Sequence, residues 1–232
     1  MRLEEGTLDV HAPHEPIHGV KDFLLHLLTI KVGLLIAVGI EGCVELHREH
    51  KLVKEARATL REEIQSNSES MNGALANLEK EDKAIANNID VLTKLLRDPK
   101  DKQVKDADIA ADFSIVGLKD TAWKTAQTTG ALTYMPYEEA QRYASVYHEQ
   151  QSFLDMQDKI LDDEAQFVGV MRKTDFGHGG VTKEQASAAL ERFGVWQAHL
   201  SYLVLSAKVT AADDKAFLEG KEGPQHMRYD LH

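Results

Sequence analysis

The chain has 232 residues, 43% hydrophobic and 28% charged, which is long enough for one or two compact domains and too apolar for wholesale disorder. A formal net charge of −11 withholds the broad basic footprint that nucleic-acid phosphates require, so no nucleic-acid partner is expected. The single cysteine, Cys43, excludes an intrachain disulfide framework and every multi-cysteine metal or redox motif.

Residues 1–22 form an acidic tail with a dense ligand constellation, His11, His14, Glu15 and His18 in HAPHEPIH. Imidazole and carboxylate suit zinc, copper or nickel, and short spacing can gather three ligands round one ion. Pro13 and Pro16, however, prevent a regular helix from aligning them, and no HExxH accompanies them. The expectation is therefore no cofactor, with a transition-metal site on His11, His14 and His18 as the alternative.

Residues 23–44, FLLHLLTIKVGLLIAVGIEGCV, carry only three groups able to hold charge, His26, Lys31 and Glu41. As a helix this stretch is about 33 Å long, close to the hydrocarbon thickness of a bilayer. Its Phe, Leu, Ile and Val residues favour insertion by about 4–8 kcal/mol, against about 2.5–3.5 for Lys31 near the middle. The sum predicts a transmembrane helix and a lipid-bilayer partner. The tail before it lacks the basic region of a signal peptide, which predicts an uncleaved anchor.

Arg48, Lys51, Lys54, Arg57 and Arg61 follow the span, against only Arg2 and Lys21 before it. Positive flanks stay cytoplasmic, so the count places the short tail outside and the large C-terminal part on the cytoplasmic side of the membrane. Helix-stabilising pairs with Glu45, Glu49, Glu55, Glu62 and Glu63 explain the same bases, which keeps a periplasmic domain as the alternative.

Within the span, Thr29, Gly33 and Ala37 recur every four residues and let a second membrane helix approach closely. Lys31 and Glu41 join them as candidate helix–helix contacts, because an intramembrane charge faces protein, water or a partner charge. Self-association or other membrane-protein subunits are the expected partners.

Residues 45–97 read as a long juxtamembrane helix. Ile64, Met71, Leu78, Ile85 and Leu92 repeat every seven residues like a coiled-coil stripe, with Val53, Leu60, Ala74 and Leu95 on the companion position. Asn67, Glu81 and Asn88 interrupt that companion position, a pattern suited to a bundle with polar layers. If continuous, this helix is about 80 Å long, Asn72–Gly73 is where a kink or short break would fit, and Asp98–Pro99 ends the element.

Residues 98–220 read as a helical bundle. One or two short helices are expected between Ala107 and Thr129, stopping at Gly130. Pro136, Glu138 and Glu139 suit the start of a helix reaching Lys173, and Phe176–Gly180 reads as a turn holding His178. Thr182 and Gln185 form a capping box for a last helix reaching Glu219, antiparallel to its predecessor. Both later helices are shorter than the first, so part of the long helix near the membrane should lie uncovered unless the short helices, another subunit or a kink accounts for it. Residues 221–232 read as an irregular tail.

The remaining candidates for chemistry have plainer readings. His47 and His50 fit interfacial solvation, Asp162–Asp163 and Asp213–Asp214 fit solvated helix faces, and Tyr134, Tyr137, Tyr143, Tyr147, Trp123 and Trp196 fit a core. Phosphate-loop, dinucleotide and nucleophile-elbow motifs are missing.

The run HAPHEPIHGVKDFLLHLLTIKVGLLIAVGIEGCVE, the charged helix after it, AWKTAQTTGAL and YASVY resemble uncharacterised bacterial single-pass membrane proteins. The resemblance covers residues 9 to about 205 and implies a bacterial membrane location and an α-helical domain, with no activity to carry over. The expectation is an all-α chain: a single N-terminal transmembrane helix continuing into a long helix packed in an antiparallel bundle. Its expected function is that of a non-enzymatic structural or accessory interaction subunit. A ligand-binding or sensory module and a metal-binding membrane protein are the competing readings.

Overall fold

The computed structural model describes residues 19–98, 113–173 and 181–223. They form helices α1 (Val20–Arg97), α2 (Thr121–Thr128), α3 (Tyr137–Lys173) and α4 (Lys183–Leu218), with a 3₁₀ turn at Ala131–Tyr134. Among the described residues there is no strand, so the chain is all-α. It divides into two units, Met1–His50 and Lys51–His232.

In the first unit, every described residue as far as Val44 is exposed, and α1 here contains a stretch long and apolar enough to cross a membrane. Leaving large apolar side chains in water forfeits about 1.5–3 kcal/mol each. A helix apolar all round, with none of that surface covered by the described residues, matches a lipid environment.

In the second unit the heptad stripe is the core. Leu60, Ile64, Met71, Leu78, Ile85 and Leu92 are buried, and α1 runs unbroken through Asn72–Gly73. Burial extends from Val53 to Leu95, and no residue of 45–52 is buried; beyond that point the short helix is what covers the long one. Near Val53 the cover comes from α2, the 3₁₀ turn and the start of α3, through Ala126, Ala131, Met135, Tyr143 and Val146.

The direction of each helix follows from its contacts. Arg57 meets Glu139, Glu63 meets Tyr147 and Asn67 meets Gln150, so α3 runs parallel to α1. Arg61 meets the Leu218 carbonyl, Lys208 meets Glu79 and Ser201 meets Asp82, so α4 runs antiparallel to α1. The antiparallel pairing of α3 and α4 is as the sequence predicts, and these two make the closest backbone approach. Ala186, Ala189 and Ala207, fully buried on α4, leave room for it.

A parallel α1 and α3 require the chain between them to return along the bundle. The described part of that return, residues 113–120 (the strap), has no regular secondary structure, and of the one or two short helices expected between Ala107 and Thr129 the described residues hold one, α2. Ser114 bonds to Glu81 and Ala122 to Glu63, two α1 positions eighteen residues, or about 27 Å, apart. Eight residues cover that distance at about 3.4 Å each in extended form, whereas as a helix they reach only about 12 Å. Helix therefore resumes only at Thr121, once the distance has been covered.

The turns follow local chemistry. Gly130 ends α2 with φ of 75°, a left-handed conformation that suits glycine. The Pro136 carbonyl accepts the first bond of α3 from the Ala140 N–H, and Glu138 and Glu139 occupy its first turn. Thr182 Oγ1 accepts from the Gln185 N–H at 3.2 Å, while Gln185 Oε1 accepts from the Thr182 N–H at 2.7 Å, completing the predicted capping box.

Replacing Asn67 or Gln157 with Leu leaves both backbone groups of one strap residue, Lys119 or Val116, without their partners. Each change is expected to cost about 1–3 kcal/mol in denaturant unfolding and to speed amide exchange at that residue. Exchange unchanged in both variants would show that these amides do not hold the strap.

Candidate functional site

The most distinctive feature of the second unit is a set of buried polar side chains that bind backbone or one another. Gln157 takes both groups of Val116: its Oε1 accepts from the N–H at 2.7 Å and its Nε2 donates to the carbonyl at 3.2 Å. Asn67 does the same for Lys119, accepting at 2.8 Å and donating at 2.7 Å. Each primary amide thus supplies the donor and acceptor that a neighbouring strand would supply in a sheet.

Glu63, 8% exposed, sits at the start of α2. Its carboxylate accepts from the Ala122 N–H at 2.9 Å, from the Trp123 N–H at 3.3 Å and from the Tyr147 hydroxyl at 2.8 Å. Placed there, it satisfies helix-terminal N–H groups that the short helix leaves free. Burial, reinforced by the bond to Glu63, holds the Tyr147 hydroxyl well above the ordinary tyrosine range. Glu63 and Tyr147 thus join the start of α2 to the core through hydrogen bonds.

From Asn67 the bonds continue across the core. Asn67 Nδ2 donates to Gln150 Oε1 at 2.8 Å, and Gln150 Nε2 donates to Asp214 Oδ1 at 2.9 Å. The second oxygen of Asp214 is buried and has no hydrogen-bond partner among the described residues. Burial pushes the Asp214 carboxyl up to about 7; the Gln150 bond opposes this shift and neighbouring Asp213 adds to it. Asp214 is thus a proton-holding group linked through two amides to the strap.

This corrects the reading of both acid pairs as solvated faces. In each pair the second aspartate is buried: Asp214 is 1% exposed, and Asp163 accepts a 2.6 Å contact from His199 Nδ1. The aromatics divide. Tyr143, Tyr147 and Trp196 are core, whereas Tyr134 and Tyr137 are exposed. Trp123 stacks on Tyr147 with ring centroids 5.1 Å apart, and the two border an open groove of about 330 Å³ with Leu118, His148, Gln150 and Gln151.

Sequence reasoning did not single out Glu63, Gln150, Gln157 or Asp214 as buried partners. The available signal was the interruption of the heptad at Asn67 and Glu81, both of which bind the strap. The predicted helix-contact residues Thr29, Lys31, Gly33, Ala37 and Glu41 all lie exposed on α1. His50 Nδ1 lies 2.7 Å from the Leu46 carbonyl of its own helix. His11, His14, His18 and His178 lie outside the described residues, among which no cluster of metal-ligating side chains occurs.

The fold and the exposed apolar N-terminal part of α1 define a membrane-associated all-α protein. Compared with protein-family models, curated proteins and solved structures, the chain matches none.

Because burial favours neutral Asp214, the folded chain keeps a proton between about pH 4 and 7 that the unfolded chain has released. Stability from this group is complete below about pH 4 and is lost as pH rises through about 7. Asp214→Asn should flatten that decline and raise stability at pH 8 by an amount on the order of 2 kcal/mol. Thermal melts of both proteins from pH 4 to 8 check this; parallel profiles would show that Asp214 is not the titrating group.

Proposed function

We propose that this protein is a membrane-anchored, non-enzymatic structural or accessory interaction subunit of a bacterial inner membrane, assembling with copies of itself or with other membrane proteins. The observation that carries this reading is the charge inside an otherwise apolar, wholly exposed helix. Lys31 and Glu41 make no ion pair among the described residues, and ten residues of α1, about 15 Å, separate them. Their own helix therefore cannot neutralise either one. Headgroups, water or a second membrane protein must do so, and the Thr29–Gly33–Ala37 row leaves room for a second helix close by. An added methyl at Gly33 would meet no atom within 4 Å in the single chain.

The second unit supports an interaction role over a catalytic one, because its buried carboxylate and amides at Glu63, Asn67 and Gln157 are engaged in holding backbone. The basic flank favours a cytoplasmic position for this unit, with the periplasm as the alternative. Cysteine labelling at position 225 in intact and permeabilised cells separates the two.

Native mass measurement in mild detergent should give a particle of several chains or one with a co-purifying membrane protein. Lys31→Leu should shift that particle towards the monomer if Lys31 lies at the contact. A strictly monomeric wild type without a partner would overturn the assembly reading.

A further inference from the structure

Helix α4 is apolar on two faces. One packs into the core of the second unit, through the fully buried Phe193, Trp196, Leu200 and Ala207. On the opposite side Val195, Tyr202 and Val209 repeat every seven residues, with Ala198, Leu205 and Ala212 three residues after each. None of these six belongs to either apolar cluster of the unit. Val195 is 44% exposed, Tyr202 43%, Ala198 is exposed and the other three are half-buried.

This outer face is also free of charge. From Gly194 to Ala212, about 28 Å of helix, the only side chains able to carry charge are His199 and Lys208. Both turn aside to neighbouring helices, His199 to Asp163 of α3 and Lys208 to Glu79 of α1. An equal length of α3, residues 149–167, carries seven acids and bases. A helix covered on one side needs a single apolar stripe, and a second one with a seven-residue repeat matches the seam of a two-stranded coil.

Length, side-chain type and charge decide which partner fits. A seam of this length calls for a helix of about nineteen residues with a stripe of its own. The stretches outside the described residues, 1–18, 99–112, 174–180 and 224–232, are each shorter; the heptad of α1 is taken up by the core, and α3 turns its charges outward. A second α4 has the matching stripe by identity. In a parallel pair Val195, Tyr202 and Val209 stack at one seam position and Ala198, Leu205 and Ala212 at the other; valine at the first and leucine at the second favour two strands, and the alanines let the backbones approach. The edges agree as well. Across a parallel seam Lys208 comes opposite Asp213 of the second copy, and Ser201 opposite Ser206, so no like charges meet. Asp213 lies beside Glu149 and makes no ion pair among the described residues, while Lys208, 45% exposed, keeps N–H groups beyond the one given to Glu79. Glu191, the position before Val195 in the repeat, ends the seam.

We propose that the outer face of α4 is a homodimer seam, on which two copies of this chain pair their α4 helices in parallel. The proposal deepens the assembly reading above by naming the partner, a second copy, and a surface separate from the Thr29–Gly33–Ala37 row. A strip about 28 Å long and about 10 Å wide is smaller than the roughly 800 Å² per partner of a stand-alone dimer. Confinement of both copies to one bilayer supplies the effective concentration that the seam alone lacks, and in this the proposal rests on the anchor reading.

The test uses the full chain with Cys43→Ser in liposomes of phosphatidylethanolamine and phosphatidylglycerol, with single cysteines at positions 33, 158, 195 and 209 and disulfide formation followed under mild oxidation. Position 33 reports the span contact, and Asp158, exposed on α3, is the reference for chance collisions. Cysteines at 195 and 209 should bridge severalfold faster than the one at 158. Ala198→Glu, which sets a carboxylate in the seam, should return both to the rate at 158 without moving the melting temperature. Bridging at 33 with no excess at 195 or 209 over 158 overturns the α4 seam and leaves the assembly reading standing. An excess at 195 and 209 that survives Ala198→Glu overturns the seam as well. No excess at 33, 195 or 209 overturns the seam and self-association together.

Discussion

Everything in the bundle depends on one geometric constraint: α1 and α3 run in the same direction, so the chain joining them must travel back along α1. Eighteen residues of α1 set the length of the described return, and only an extended backbone covers about 27 Å with the eight residues available. An extended segment without a sheet has no neighbouring strand to bond. Its N–H and C=O groups must then be satisfied by side chains or water, since each buried unpaired group costs about 1–3 kcal/mol. Glu81, Gln157, Asn67 and Glu63 meet that need in order along the strap. The buried polar residues of the core are therefore consequences of the topology.

The same constraint explains what was legible in the sequence. Helices whose apolar spacing and caps are local could be read directly: the heptad from Ile64 to Leu92, the Thr182–Gln185 capping box and the Gly130 stop are all set by neighbours within a few residues. The strap could not be read this way, because Val116 and Leu118 have no periodicity that separates helix from extended chain. Its conformation is fixed by Glu81 and Glu63, more than thirty residues earlier in the chain. The polar breaks at Asn67 and Glu81 marked the right positions, and only the fold shows that what they bind is backbone.

Burial of the acid pairs was hidden for a similar reason. Asp162 and Asp163 are adjacent on α3, so a helix turns them about 100° apart and one can face solvent while the other faces α4. Which of the two is buried depends on the partner helix: His199 of α4 meets Asp163, and Gln150 of α3 meets Asp214. Composition sees four acids where the fold makes one exposed group, Asp162, one half-buried group, Asp213, and two interior ones, Asp163 and Asp214.

The two units handle charge by opposite means, and that contrast is the strongest argument for the anchor. In the second unit, carboxylates that leave water find donors: Glu63 takes three, Asp163 takes an imidazole, and Asp214 takes one amide and keeps a proton more readily than usual. In the first unit Lys31 and Glu41 have no such arrangement, although their neighbours are nearly all apolar. A helix buried in its own fold is supplied with partners, as α2 and α3 supply them to Glu63 farther along α1. Charges left unmet by the described residues fit neutralisation by headgroups and water at a membrane surface or by another protein within the membrane.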